Sequence, residues 1–158
     1  YAEYLIQSGK ASEAIAILKQ KHTSLVENDP AFLEQWATAY LQDQQAQQAL
    51  AITDKIKSID PNYKIEQIAL IRALANHQLN QQESARQNFI IATKSQDIEK
   101  LSEYALWAIQ TNQGELAQQI RAELQKKWTI GTAYSRQLHK PIFKQIDKAL
   151  KDMKKKAA

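Results

Sequence analysis

The side chains able to do chemistry are few and far apart. His22, His77 and His139 are the only histidines, and no two stand four residues apart, the spacing that puts two imidazoles on one helix face around a metal. Cysteine is absent, which removes thiolate nucleophiles, disulfides and thiolate metal ligands together. There is no Gly-x-Ser-x-Gly turn for a serine nucleophile and no glycine-rich phosphate loop. The carboxylates are scattered over segments of helical pattern, where solvation is their ordinary role. No catalytic residue, cofactor, metal or small-molecule substrate is expected, and the chain reads as a non-enzyme.

Charge is the other chemical resource, and it is unevenly spread. The net charge is +4, but from Lys140 onward there are seven lysines and two aspartates, so the rest of the chain is slightly acidic. Basic residues interleaved with aromatics could stack nucleic-acid bases. Here Trp36, Tyr40, Tyr104 and Trp107 fall at helix positions expected in or near a core, while most lysines sit at the end, so nucleic acid is not the expected partner.

These residues must be carried by helices. Three glycines and three prolines among 158 residues are too few for the turns of an all-β fold, and Ala, Leu, Gln, Lys and Glu dominate. The 21 glutamines are interleaved with apolar residues at helical spacing and read as solvated helix faces. No apolar run approaches the length of a membrane span, and no signal-peptide pattern is present. The first residue is Tyr1 rather than Met, which suggests a processed product or an excised domain; the compartment is not encoded.

The helices come in pairs. In "SGKASEAIAIL", Gly9 can end one helix and Ala14 opens the apolar stripe of the next. "LQDQQAQQALAI" repeats the scheme with Asp43 and Ala49, "QLNQQESARQNF" with Asn80 and Ala85, and "TNQGELAQQIRAEL" with Asn112, Gly114 and Ala117. Those four alanines are spaced by 35, 36 and 32 residues. Between pairs stand Asp29-Pro30 and Asp60-Pro61. Asp caps a helix N-terminus and Pro is tolerated at the first helical position, so each step is expected to open the first helix of a pair.

This period, with a small residue in the second helix and Asp-Pro after it, resembles the tetratricopeptide repeat (TPR) family. Leu33, Trp36, Ala37 and Tyr40, and again Leu101, Tyr104, Ala105 and Ala108, are similar to the family's first-helix pattern; Phe89 and Ala92 match its second helix. The resemblance implies an all-α fold, a right-handed α-α superhelix with about four repeats over residues 1–127 and a C-terminal capping segment over 128–158. Four departures are expected: a first repeat truncated at its N-terminus, entered midway through its first helix at Tyr1; a second helix in that repeat about one turn longer than usual, through "LKQKHTSLVEND"; a shift of one or two residues in the third repeat, where Arg72 and Asn76 take apolar places; and no Asp-Pro after the fourth repeat.

In this family the groove lined by first helices accepts an extended or helical peptide of a partner protein. The matching positions are Glu34, Thr38, Leu41 and Gln42, then Arg72 and His77, then Ser102, Leu106, Ile109 and Gln110. They lack the Lys, Arg and Asn set with which the family clamps a terminal carboxylate, so amide hydrogen bonding and apolar contact are expected instead. At the end of the chain, Phe143, Ile146, Leu150 and Met153 form an apolar stripe opposite Lys140, Lys144, Lys148, Lys151 and Lys155. The plain reading is a capping helix. The alternative is a basic helix that contacts an anionic membrane or nucleic acid.

Overall fold

A computed structural model describes residues 1–158 as nine α-helices with no strand. The chain divides into two units, Tyr1–Ala92 and Thr93–Ala158. The first holds α1 (Ala2–Gln7), α2 (Ala11–Lys21), α3 (Pro30–Gln42), α4 (Ala46–Ile59), α5 (Ile65–Gln78) and α6 (Gln82–Ala92); the second holds α7 (Ile98–Gln110), α8 (Gly114–Ile130) and α9 (Ala133–Ala157).

The turns α1–α2, α3–α4, α5–α6 and α7–α8 are built alike. Gly9, Gln44, Asn80 and Asn112 all have φ between 57° and 75°. In each turn the amide of the left-handed residue and the amide after it bond back to two carbonyls of the finished helix: Gly9 to Ile6 and Lys10 to Leu5, Gln44 to Leu41 and Gln45 to Tyr40, Asn80 to His77 and Gln81 to Asn76, Asn112 to Ile109 and Gln113 to Ala108. This is the Schellman ending, which satisfies carbonyls that a helix C-terminus otherwise leaves open. Five residues after each left-handed residue comes Ala14, Ala49, Ala85 or Ala117, each fully buried. Twelve residues before each of these lies Ala2, Ala37, Ala73 or Ala105, also buried. Small residues at matched places on both helices permit close approach of a pair.

In the second turn Asp43, expected as a turn or cap residue, is the C-cap of α3, and the left-handed conformation falls on Gln44. The Asp43 carboxylate is engaged elsewhere, accepting from Ser12 Oγ at 2.6 Å and from Gln45 Nε2. These bonds hold its pKa below the ordinary Asp value, the Ser12 contact being the larger cause.

The two Asp-Pro steps behave differently. Asp29 caps α3 by accepting from the amide of Ala31, with Pro30 at the first helical position. Asp60-Pro61 does not open α5. Asp60 accepts from the Asn62 amide on its side chain and from the Tyr63 amide on its carbonyl; Lys64 is left-handed at φ 34°, and the helix starts only at Ile65. The cause is tertiary: Tyr63 Oη donates to Glu34 Oε1 at 3.1 Å and Lys64 Nζ pairs with the same carboxylate at 3.1 Å, tying the turn to α3. Asp97 caps α7 without a proline, accepting from the Lys100 amide.

The expected extension of α2 is also corrected. The helix stops at Lys21 and residues 22–29 form a turn-rich loop. His22 leaves the helix with extended backbone (φ −71°, ψ 96°), and its ring lies 4.9 Å from that of Trp36 and 6.1 Å from that of Phe32.

No register shift is needed in the third pair. Ala73 is fully buried in register with Ala37, and the polar residues that suggested slippage have partners. Asn76 is buried, donating to Gln81 Oε1 and accepting from Asn88 Nδ2, each at 2.9 Å. Arg72 Nη1 donates to Thr53 Oγ1 at 2.8 Å and to Asp54 Oδ1 at 2.6 Å on α4.

Consecutive helices of the first unit pack in turn, and α1 touches α3 as α3 touches α5, whereas α2–α4 and α4–α6 make no comparable contact. Its core includes Leu5, Leu18, Leu33, Tyr40, Ile56 and Ile71. In the second unit α9 packs on both α7 and α8 through Phe143, Ile146 and Leu150, and Trp128 lies 4.6 Å from Phe143. Helix α9 continues through Pro141 rather than breaking there. No helix is long and apolar enough to cross a membrane.

Two substitutions separate the packing and backbone parts of the turn. Ala49→Leu is expected to lose about 1–3 kcal/mol by overpacking, while Ala51→Leu on the exposed face of the same helix stays near neutral. Gly9→Ala meets nothing within 4 Å, so its loss of about 1 kcal/mol comes from the left-handed backbone alone. Thermal melting by circular dichroism reads all three.

Candidate functional site

A cleft of about 500 Å3 runs along the first helices of the first unit. From α1 it receives Glu3, Ile6 and Gln7, from α3 Ala31, Glu34, Gln35, Thr38 and Gln42, from the turn before α5 Tyr63 and Lys64, and from α5 Gln67. On α3, positions 31, 35, 38 and 42 share one helix face. The walls are rich in carboxamides, which both donate and accept, and carry two carboxylates and one ammonium. Glu34 is the structural post of the cleft, since it anchors both Tyr63 and Lys64. Burial, then the charge and hydrogen bond of Glu34, push the Tyr63 phenol up; the Glu34 hydrogen bond and charge raise the Lys64 ammonium. At neutral pH both therefore remain protonated donors. Thr38 lines the cleft and spends its hydroxyl on the Glu34 carbonyl.

The predicted partner-binding residues divide sharply. Glu34, Thr38 and Gln42 line this cleft. Leu41 does not: its side chain is buried in the core and its carbonyl accepts from Gln78 Nε2. Arg72 turns away to the ion pair with Asp54, and His77 Nδ1 lies 3.2 Å from Gln82 Oε1 at the start of α6. Ser102 is buried on α7 with its hydroxyl donated to the Glu99 carbonyl. Leu106 and Ile109 are half-buried and Gln110 exposed on the same helix, in the second unit. Gln7, Gln35, Tyr63, Lys64 and Gln67 were not anticipated. The α3 spacing pointed to Gln35; Tyr63 and Lys64 reach the cleft only through the tertiary tie to Glu34.

A second cleft of about 500 Å3 lies between α8 and α9, lined by Gln118, Arg121, Gln125, Asp147, Lys151 and Lys154 among others. Arg121 is spoken for. Its Nε and Nη2 donate to the two Asp147 oxygens at 2.6 and 3.1 Å, and its guanidinium lies over the Phe143 ring at 4.8 Å. This is a staple between the two helices. The lysines remain unpaired.

No group of three or more His, Asp or Glu side chains gathers where a metal could be held. Tyr40, Tyr104 and Trp107 are buried and Trp36 is half-buried against His22, Phe32 and Tyr40, so none offers an open stacking face. Comparison of the chain with protein families, curated proteins and solved structures finds no match.

One carboxyl near the α7 surface makes a pH-dependent contribution. Burial alone raises Glu103 above its ordinary value of 4.5. Between that value and the raised one, the folded chain holds a proton that the unfolded chain has released, so stability falls as pH rises through the window and stays lower above it. Glu103→Gln is expected to raise the melting temperature at pH 7 and to leave it nearly unchanged at pH 4. An equal shift at both values would contradict the burial effect.

Proposed function

We propose that this chain is a TPR-like module, its helix pairs following a right-handed α-α superhelical path capped by α9, that binds an extended peptide segment of a partner protein. The carrying observation is the cleft formed by the outer faces of α1, α3 and α5. Contacts between successive first helices, without comparable contacts between successive second helices, support a curvature with the first helices inside. The chemistry of the walls fits a peptide backbone. Gln7, Gln35, Gln42 and Gln67 supply carboxamides that can satisfy both the N–H and the C=O groups of an extended strand, and Ile6 and Ala31 supply apolar contact. With Glu3 and Glu34 facing Lys64, a strongly charged ligand is not favoured.

The reading is tested by affinity capture from native extract with the intact chain, a Thr38→Lys/Gln42→Lys variant, and a Gln48→Lys control on the exposed surface of α4. Glu34 is left intact because it holds the Tyr63 turn. Partners of the wild type should be retained by the control and weakened by about 30-fold in the cleft variant, the scale of a single hot-spot loss. Recovery of the same proteins at the same level by the cleft variant would overturn the assignment.

A further inference from the structure

The second unit carries a surface that neither its core nor the cleft uses. Ile130, Tyr134 and Leu138 are large apolar side chains exposed to 80%, 75% and 56% at the corner between α8 and α9. A helix turns about 100° per residue. Taking α9 on that basis, Phe143, Ile146 and Leu150 point into the unit, and Tyr134, Leu138 and Pro141 lie on the far side. On one flank of that side, about 80° round from Tyr134 and Leu138, stand Lys144, Lys148 and Lys155, all exposed, while Asp152 falls in line with Tyr134. None of these lysines joins an ion pair; of the two acidic groups on this part of α9, Asp147 is occupied by Arg121 and Asp152 is exposed four residues after Lys148. The solvent-facing half of a 25-residue helix is thus apolar at its beginning and carries lysines along one flank farther on, with Asp152 beside them.

We infer that this face docks peripherally on an anionic lipid surface, with Ile130, Tyr134 and Leu138 entering the interface and the α9 lysines meeting the headgroups. Charge complementarity alone would also suit RNA or an acidic peptide. An apolar corner on the same solvent-facing half of α9 as the lysines distinguishes the cases, because a bilayer interface takes up hydrocarbon and flanking charge together. The apolar stripe that caps the second unit is a separate set of residues, so capping and docking do not compete. The contact is independent of the α1–α3–α5 cleft.

The test uses the intact chain and flotation with vesicles of phosphatidylcholine alone or with a third phosphatidylglycerol. Binding is expected to the anionic vesicles and to weaken with salt. Lys144→Glu/Lys148→Glu should reduce it by at least about 25-fold, at roughly fivefold per lysine removed. Ile130→Ser/Tyr134→Ser/Leu138→Ser should reduce it by at least about tenfold, with an unchanged melting curve because the three side chains lie outside the core. The chain has no cysteine, so Leu138→Cys takes a single environment-sensitive fluorophore; its emission should shift to the blue on anionic vesicles, and the same label at Ala51→Cys should not respond. Failure of the wild type to float with anionic vesicles would overturn the proposal. So would wild-type binding by the triple serine variant, or a Leu138 label that stays in water. Retention of a homopolymeric RNA by both the wild type and the serine variant, without vesicle binding, would assign the lysines to nucleic acid instead.

Discussion

A residue in the left-handed region, closing one helix and standing five positions before a buried alanine, sets the geometry from which the rest of this structure follows. The left-handed conformation is disfavoured by about 1–2 kcal/mol for residues other than glycine, yet Gln44, Asn80 and Asn112 adopt it where Gly9 does so freely. Two backbone hydrogen bonds per turn offset that strain, and the reversal brings alanine-lined faces of two helices together. Repeating the same reversal at near-constant spacing puts α1, α3 and α5 side by side. Their outward positions, at 34, 38 and 42 on α3, then become the walls of the cleft.

Where the pattern is broken, a tertiary contact has taken over from a local signal. Asp60-Pro61 has the chemistry of a helix start, but the Glu34 carboxylate holds Tyr63 and Lys64 and delays the helix to Ile65. Arg72 and Asn76 stand where Trp36 and Tyr40 stand in the preceding pair. Polar partners on α4 and α6 replace ring packing there, so α5 stays in register at the expense of a uniform apolar core. Of the predicted groove residues in the third pair, Arg72 lies against Thr53 and Asp54 and His77 beside Gln82, outside the cleft of the first helices.

Much of the fold was legible in the residues, since alanine spacing, Asp29-Pro30 and the apolar stripe of Phe143, Ile146 and Leu150 all act locally or along one helix. The identity of the left-handed residue at Gln44 was not, because glutamine has no special preference for that conformation and Asp43 beside it looks the better turn former. Within the cleft, the helical period distinguished Thr38 and Gln42 from their neighbours but did not exclude Leu41, one residue and 100° away, which the core takes. Tyr63 and Lys64 were hidden for a different reason: only the fold brings them to Glu34, 29 and 30 residues earlier. The exposed corner at Ile130, Tyr134 and Leu138 escaped notice because its spacing is that of any buried stripe.

The cleft depends on helix pairs reversing at these turns, so backbone geometry there tests the account most directly. Scalar couplings sensitive to φ can be measured in isotope-labelled protein for Gln44, Asn80 and Asn112. Positive φ near 57–59° is predicted at all three. A negative, helical φ at any one of them would mean that the helices run on through the turn, and the pairing on which the cleft rests would be contradicted.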